Sequence, residues 1–260
     1  MKVGYVQTSP VFGEKQRNFQ QVLELTHTIT ADLLVLPELF ATGYAFISKD
    51  EVVALSEEGD METARFLKQL SFQTGAVIVA GFIEKEKDNF YNAAMMVGND
   101  RLIGIYRKIH LFYEEKRWFV PGDKPFEVYN VNDARIGMMI CFDWIYPEAC
   151  RTLAINGAQV IAHPSNLVLP WCQSAMQTRC LENRVFAVTA NRIGREQRGI
   201  NDFNFTGGSQ VTAVNGTILS AAPAGEAYVD VVEIDPSTAD NKKINSFNDL
   251  LNDRRTEFYK

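Results

Sequence analysis

The chain has 260 residues, of which 46% are hydrophobic and 22% are charged, and its formal net charge is -6. This composition is ordinary for a globular protein, and no stretch approaches the roughly 20 apolar residues that a membrane helix requires. Phosphate binding needs clustered Lys and Arg, which this acidic chain lacks. We therefore expect neither a nucleic-acid partner nor a membrane partner.

The first half of the chain begins with alternating strands and helices and then changes to a hairpin. Short continuous apolar runs predict buried strands, and apolar residues at spacings of three and four predict helices. The predicted elements are the strand VGYVQ, a helix from Phe19 to Ile29, the strand LLVLP, a helix around Leu67, the strand AVIVAGF, and a hairpin of YNAAMMV, GNDR and LIGIYRK.

The second half repeats this order of elements without repeating the sequence. Its predicted elements are the strand RIGMMIC, the helix PEACRTLAI, the strand QVIAHP, the helix MQTRCLENR, the strand VFAVTAN, and a hairpin of SQVTAV, NG and TILSAA. Each half then makes a mixed sheet with helices over one face, and the other faces can be buried against each other. The predicted fold class is α/β, a four-layer sandwich of helix, sheet, sheet and helix.

The domain organisation follows from length and from the composition of the end of the chain. An α/β fold of this size commonly remains one domain, so we predict a single domain over residues 1–260. Residues 236–260 are polar and sparsely apolar. We expect them to form an arm that lies on the surface or on a partner.

The start of the chain and the cysteines bear on the compartment. MKVGYVQTSP lacks the long apolar region and the cleavage site of a signal peptide. The four cysteines form no CxxC pair, are too unevenly spaced for a disulfide framework, and match no common zinc-site spacing. We expect reduced thiols, no bound metal and a cytoplasmic location.

Three reactive residues end predicted strands, where ligands gather in open α/β sheets. Glu38 follows LLVLP, Lys108 ends LIGIYR, and Cys141 ends RIGMMI. A thiol at a strand-to-helix turn lies near backbone N–H groups, which can lower its pKa and bind a developing oxyanion. Taken singly, each residue also has an ordinary alternative, namely a packed cysteine, a capping glutamate and a surface lysine.

The context of these residues resembles a known family. LLVLPELFATGY, YRKIHLFYEEKRWFVPGD and GMMICFDWIYPEACRTLAINGA resemble the three signature blocks of the nitrilase superfamily of carbon-nitrogen hydrolases, in the family's order and spacing. HPSNL, RCLENRVFAVTANRIG and NDLLNDRR resemble its later segments, so the resemblance covers nearly the whole chain. It implies an αββα sandwich, which agrees with the layers predicted above.

The resemblance also implies catalytic residues. The family's glutamate, lysine and cysteine fall on Glu38, Lys108 and Cys141, and a further family glutamate falls on Glu115. Glu115 has the family's spacing to the glycine of PG. The adjacent residue, Glu114, is the alternative if the loop contains an insertion.

These residues suggest a covalent mechanism. Glu38 takes the thiol proton while Cys141 attacks an amide carbon, and Lys108 and the N–H of Phe142 stabilise the oxyanion. The amine leaves with a proton from Glu38, and water hydrolyses the thioester with Glu38 or Glu115 as base. A nitrile forms a thioimidate first. None of these steps requires a metal or an organic cofactor.

Two rival hypotheses remain. The first is a papain-like pairing of cysteine and histidine, because His110 and His163 are available. By resemblance, however, His110 braces the catalytic loop, and His163 ends a strand in a structural position. The second is a non-catalytic member of the fold that binds a metabolite or a protein, which an intact set of Glu38, Lys108 and Cys141 disfavours.

Four residues near the motifs are candidates for substrate binding. Tyr44, Phe142 and Trp144 are aromatic residues close to Glu38 or Cys141, and packing in the core or a dimer is the alternative for each aromatic side chain. Asn166 is a candidate for a polar contact, since its counterpart lies near the nucleophile in similar proteins. A loop cap is the alternative for Asn166.

The segment CFDW bears on the substrate. Trp144 stands where relatives that bind acidic substrates have an arginine, although Arg117 or Arg179 could supply a cation from elsewhere. CFDW resembles the aliphatic amidase, carbamoylputrescine amidase and small-nitrilase branches. We therefore expect small neutral aliphatic amides as substrates, with an aliphatic nitrilase or an N-carbamoyl amine amidohydrolase as alternatives. The resemblance also implies a homodimer or a higher homo-oligomer in which the C-terminal arm contacts the partner.

Overall fold

The computed structural model of the chain describes residues 1–58 and 61–259. Residue 260, the last of the predicted arm, and residues 59 and 60 lie outside the described part. Two six-stranded sheets form the centre of the molecule, and a separate two-stranded hairpin lies beside them. In the part of the chain that is described, no helix is long and apolar enough to cross a bilayer.

The first half of the chain builds one sheet and the helices that cover it. Its elements are β1 (Lys2–Gln7), α1 (Lys15–Thr26), β2 (Leu33–Val35), α2 (Lys49–Leu55), α3 (Glu62–Thr74), β3 (Val77–Glu86), β4 (Asn89–Gly98), β5 (Arg101–Arg107) and α4 (Glu115–Trp118). The predicted alternation and the β4–β5 hairpin are confirmed. The prediction placed Ile29 in the first helix, which ends before it, and it did not include α2 or the short α4.

The second half builds the other sheet. Its elements are β6 (Val128–Val131), β7 (Ala134–Met138), a 3-10 turn (Cys141–Ile145), α5 (Pro147–Ile155), β8 (Val160–Pro164), α6 (Cys172–Asn183), β9 (Phe186–Ala190), β10 (Ile193–Arg198), β11 (Asn201–Thr206), β12 (Gln210–Thr212), β13 (Ile218–Ala221) and β14 (Tyr228–Glu233). The predicted strands, helices and final hairpin are present. The sequence did not predict β6, the β10–β11 hairpin or β14.

Both sheets are mixed, as predicted. The first has the order β14-β1-β2-β3-β4-β5, and the second has the order β13-β12-β9-β8-β7-β6. The central strands β1, β2 and β3 are parallel, as are β7, β8 and β9, and the outer strands pair antiparallel. β14, from the second half of the chain, pairs with β1 and forms the edge strand of the first sheet.

The layers follow from side chains that alternate along each buried strand. Leu33 and Val35 of β2 belong to the hydrophobic cluster that includes the second sheet, whereas Leu34 packs with α1 and α3. Phe19 of α1 and Phe66 of α3 stack there with ring centroids 4.1 Å apart. A strand whose two faces are both apolar can be buried only between two layers. This arrangement gives the predicted four-layer αββα sandwich.

Candidate active site

The ammonium of Lys108, which directly follows β5, lies between two carboxylates. Its Nζ donates to Glu38 Oε1 at 2.6 Å and to Glu115 Oε1 at 2.8 Å, and all three side chains are buried. Burial alone would lower the pKa of Lys108, but the Glu115 and Glu38 carboxylates raise it above its ordinary value. The lysine therefore stays charged. Of its three donors, one has no partner among the described residues.

The carboxylate of Glu38 has one occupied and one open oxygen. Oε1 accepts from Lys108 and from Nδ2 of Asn92 on β4, the latter at 2.7 Å. Oε2 is buried and has no hydrogen-bond partner within the described residues. A buried acceptor without a donor is costly, so this oxygen is suited to receive a proton. The sequence analysis missed Asn92, because its strand gave only a hairpin signal.

Glu115 is the second carboxylate of the cluster. Its Oε1 accepts the Tyr44 hydroxyl at 2.6 Å, and its Oε2 accepts the backbone N–H of Phe112 at 3.1 Å. Burial raises the pKa of Glu115, and Lys108 opposes this effect. The neighbouring Glu114 instead contacts Arg117 and Asn201 near the surface. Glu115 is thus the glutamate of this pair that contacts the lysine.

Cys141 begins the 3-10 turn that follows β7, and its side chain is 5% exposed. Burial raises the pKa of its thiol well above the ordinary value, and Glu38 adds to the rise. Lys108 and the backbone N–H of Asn166 lower it by less. The net direction is opposite to the one expected from the turn alone, because burial beside carboxylates outweighs the N–H group. The resting thiol is neutral and needs a base.

The backbone around the cluster is strained at three non-glycine residues. Leu39, Tyr113 and Cys141 have φ angles of 48°, 46° and 40°, in the left-handed region. Such a conformation costs an L-residue about 1–2 kcal/mol, and it persists only where the surrounding contacts enforce it. Each of the three lies at or within two residues of a group in the cluster. The fold therefore holds the cluster in a fixed geometry.

Gly81 of β3 allows the backbone at Glu38 to approach the sheet. A Cβ at position 81 would lie 2.5 Å from both Glu38 Cα and Leu39 N, which is closer than atoms can pack. The Gly81 N–H donates to the Pro37 carbonyl at 3.2 Å. The glycine thus fixes how near Glu38 comes to the neighbouring strand.

His163, at the end of β8, supports the backbone of the cysteine. Its Nε2 donates to the Cys141 carbonyl oxygen at 3.0 Å, and its Nδ1 lies 3.1 Å from Thr189 Oγ1. Burial lowers the pKa of His163 to about 4, so the ring is neutral. The imidazole bonds the carbonyl of Cys141 instead of its thiol. This geometry does not form the papain-like pair of the rival hypothesis.

Asp143, which the sequence analysis did not single out, ties the cysteine turn to the loop after Lys108. Its Oδ2 accepts the Ile140 N–H and the Tyr106 hydroxyl, both at 2.8 Å. Its Oδ1 accepts the His110 N–H at 3.2 Å and lies 2.7 Å from the His110 Nδ1. A carboxylate in a buried segment next to a reactive cysteine was the available signal. His110 contacts this carboxylate and not the thiol.

A cavity lies beside the thiol. It is lined by Phe112, Cys141, Phe142, Trp144, Asn166, Leu167, Val168 and Leu169. Both side-chain polar atoms of Asn166 are buried and have no hydrogen-bond partner in the described structure. Apart from this amide and the thiol, the lining is apolar, and none of these side chains is an arginine, a lysine or a carboxylate. The Asn166 amide and the Cys141 thiol are therefore the polar side-chain groups among these lining residues.

The remaining candidates are one tyrosine and two arginines. Tyr44 contacts the cluster, because its hydroxyl donates to Glu115, and it lines a neighbouring cavity with that residue. Arg117 pairs with Glu114, and Arg179 donates to the Trp144 carbonyl. Neither arginine lines the cavity beside Cys141. Both arginines that could pair with an acidic substrate therefore make other contacts.

Comparison with known proteins gives matches that cover nearly the whole chain. Residues 2–243 match the family described as carbon-nitrogen hydrolase. The chain is 46% identical to a protein named nitrilase from Pyrococcus abyssi, over 100% of this chain and 99% of that one. It is 32% identical to an (R)-stereoselective amidase from Pseudomonas sp, over 98% and 92% of the two chains. The structure of a carbon-nitrogen hydrolase from Helicobacter pylori G27 superposes with a TM-score of 0.87 at 24% identity, covering 100% and 96%.

Proposed function

The chain belongs to the carbon-nitrogen hydrolase family, and we propose that it hydrolyses small neutral aliphatic amides with Cys141 as the nucleophile. The observation that carries this proposal is the open Oε2 of Glu38 in a buried cluster with Lys108 and a neutral thiol. A neutral thiol is a weak nucleophile, and a carboxylate with a free oxygen is the base that it needs.

Acylation proceeds in two steps. Cys141 Sγ bonds to the amide carbon while its proton moves to Glu38, and the carbonyl π electrons move to the oxygen. This oxyanion is stabilised by the Lys108 donor that has no partner among residues 1–58 and 61–259, and by the N–H of Phe142 in the first turn of the 3-10 segment. One such donor is worth about 3 kcal/mol. The C–N bond then breaks, and ammonia leaves with the proton from Glu38.

Deacylation uses the same cluster. Water attacks the thioester carbon while Glu38 or Glu115 takes its proton, and the C–S bond breaks as the thiol regains a proton. Lys108 contacts both glutamates, so either carboxylate can act without separating from the ammonium. The products are a carboxylic acid and the restored cysteine.

The cavity beside the thiol supports the choice of substrate. Phe142, Trp144 and the leucine and valine side chains favour an aliphatic group. The Asn166 amide, which bonds to no group in the described part of the chain, can bond to a polar atom of the substrate. An acidic substrate would place a carboxylate in an apolar cavity that lacks a cation among its lining residues, which is costly. This favours neutral amides over dicarboxylic monoamides.

The test is a substrate panel that measures ammonia release from acetamide, propionamide and butyramide, from the matched nitriles, from carbamoyl amines and from dicarboxylic monoamides. We expect release from the short amides and a loss of roughly a thousandfold or more in Cys141→Ala. Intact-mass measurement should detect an acyl adduct on the wild-type protein. Wild-type turnover by Cys141→Ala would end the proposal of a covalent mechanism.

Nitrile hydrolysis is the second candidate function. It is supported by the 46% identity with a protein named nitrilase, and the same thiol can attack a nitrile carbon to form a thioimidate. Faster ammonia release from the nitriles than from their amides would make this the main activity. Preferential turnover of carbamoyl amines would favour an N-carbamoyl amine amidohydrolase instead.

We further propose that the chain forms a homodimer or a higher homo-oligomer. Exposed apolar side chains lie directly after the 3-10 turn, on α5 and α6, and on the C-terminal arm, namely Tyr146, Ile155, Leu181, Phe247 and Phe258. α5 and α6 pack against each other. Contact between such surfaces removes apolar area from water.

A single domain over residues 1–260 and a cytoplasmic location complete the proposal. Pairing of β14 with β1 joins the end of the chain to its beginning, so one cooperative unfolding transition is expected. The four cysteines are unpaired thiols, as in a reducing compartment. Fractionation of the native cells, followed by detection of the protein, would test the location.

A further inference from the structure

The β10–β11 hairpin lies outside both six-stranded sheets, yet it brings a buried ion pair to the loop that follows Glu38. Glu196 of this hairpin is 6% exposed, and Arg192 is 1% exposed. Arg192 Nη1 donates to Glu196 Oε1 at 2.5 Å, and Nη2 donates to the Pro10 carbonyl at 3.0 Å. The guanidinium also lies 4.0 Å from the ring centroid of Phe205. The glutamate is thus held from one side.

The other oxygen of Glu196 holds the loop. Its Oε2 accepts the N–H of Tyr44 at 3.0 Å and the N–H of Ala45 at 2.8 Å. The approach depends on Gly43, because a Cβ there would lie 2.8 Å from Glu196 Oε1. Two successive N–H groups on one carboxylate fix the position of the two residues that carry them, and the first of these residues is Tyr44.

The Tyr44 side chain continues the contact into the cluster. Its hydroxyl donates to Glu115 Oε1 at 2.6 Å, and the same oxygen accepts from Lys108. Its ring packs against Phe203 and Phe205 of the hairpin, with centroids 5.5 Å and 6.0 Å away. The hairpin therefore holds Tyr44 by both its backbone and its ring.

Stability alone does not explain this ion pair. Removing two charges from water is expensive, and an apolar pair of similar volume is often as stable or more stable. What the pair supplies is a fixed acceptor for the loop. We propose that Glu196, held by Arg192, is a positioning residue for hydrolysis, because it places the Tyr44 hydroxyl on Glu115. This inference rests on the proposed function of the cluster.

The hydroxyl affects the charge of Glu115. Burial and the charge of Glu38 raise the pKa of Glu115, whereas Lys108 and the Tyr44 hydrogen bond lower it. Loss of the hydroxyl contact therefore raises the pKa of Glu115. If ionised Glu115 supports turnover, the acid limb of the pH profile moves to higher pH.

The experiment is a double-mutant cycle of Glu196→Gln and Tyr44→Phe, with kcat/KM for propionamide measured across pH. Each single variant should lose roughly ten- to hundredfold and shift the acid limb upward. The double variant should lose no more activity than the less active of the two single variants, because both changes remove the same contact. The matched control is Asp202→Asn, which breaks the exposed pair with Arg195 on the same hairpin and should retain wild-type values.

Additive losses, or a Glu196→Gln variant with wild-type kcat/KM and pH profile, would overturn the inference. If Glu196→Gln does not fold, Arg192→Gln with Glu196→Gln replaces it in the cycle, since this pair leaves no unpaired buried charge. The proposed function is separable. Activity that survives in Cys141→Ala contradicts the proposed function. If activity is lost in Cys141→Ala but Glu196→Gln keeps wild-type activity and pH profile, only the positioning role is contradicted.

Discussion

At the scale of single residues, the cluster combines groups that burial affects in opposite ways. Burial favours the neutral thiol of Cys141, while Lys108 stays charged because two carboxylates surround it. In the proposed mechanism, the Glu38 carboxylate would take the proton that leaves the thiol, and the Lys108 ammonium would stabilise the charge formed later. Neither condition would hold for the same residues on the surface.

His163 gives a stability prediction. Its pKa is lowered from 6.5 to about 4 by burial, so the unfolded chain binds more protons between these pH values. The free energy of unfolding should therefore fall as pH falls through this window, by up to about 3 kcal/mol. Urea unfolding across pH should show this slope in the wild type and a flatter one in His163→Gln.

The control for this experiment is His27→Gln, because His27 is exposed at the end of α1. It should keep the wild-type slope between pH 6.5 and about 4. Equal slopes in the wild type and His163→Gln would show that the buried imidazole does not cause the pH dependence.

Some residues of the site were accessible from the sequence and others were not. Glu38, Lys108 and Cys141 each lie at the end of a predicted strand, and the structure brings their side chains into one cluster. Asn92 and Glu196 were missed, since their contacts with Glu38 and Tyr44 join residues 54 and 152 positions apart along the chain. A local pattern carries no information about such partners.

At the scale of elements, strand ends position the groups and close backbone contacts set their spacing. Gly81 of β3 lies against the backbone of Glu38, so a side chain at position 81 would push the loop after β2 away from the sheet. Gly81→Ala should lower the free energy of unfolding by about 1–3 kcal/mol. It should also lower kcat for propionamide, because displacement of Glu38 by even ~1 Å impairs proton transfer.

The matched control is Gly225→Ala, since a Cβ at position 225 meets no atom within 4 Å. Urea unfolding and ammonia release are measured for both variants. Identical results for Gly81→Ala and Gly225→Ala would mean that the backbone at Glu38 can relax without cost.

The elements that the sequence predicted well are those with regular apolar patterns. Continuous apolar runs identified β2, β3, β8 and β9, each buried on both faces. The β10–β11 hairpin was missed because IGREQR and NDFNFT are largely polar, and their pairing lies outside both sheets. β14 was missed because its partner, β1, lies at the other end of the chain.

At the scale of the whole molecule, the C-terminal arm is anchored at its beginning and exposed beyond. Asp240 contacts Arg135 and accepts from Gln159, and Lys242 donates to the carbonyls at the end of α6. Past residue 243, the apolar side chains of Phe247 and Phe258 are exposed. The first residues of the arm are therefore held on the subunit by polar contacts, and the later residues expose apolar side chains to solvent.

A chain that ends after Lys243 tests the proposed oligomer. The full chain should have the mass of a dimer or a higher oligomer in light scattering, and the shortened chain should dissociate at the same concentration, because the exposed apolar groups are lost. Its anchoring contacts remain, so the folded subunit should persist.

The control is Phe72→Ser, which removes an equally exposed phenylalanine from α3 and should not change the mass. A full chain with the mass of one subunit would contradict the proposed assembly. An unchanged oligomer in the shortened chain would show that the arm is not part of the interface.

The shared ammonium has a consequence for the end of the catalytic cycle. Two carboxylates and one lysine leave a negative excess while both glutamates are ionised and the thiol is neutral. In the proposed reaction, an uncharged amide would enter without repulsion, whereas the acid that forms from it would ionise and meet like charge at close range. This repulsion would favour release of the acid and disfavour the reverse reaction.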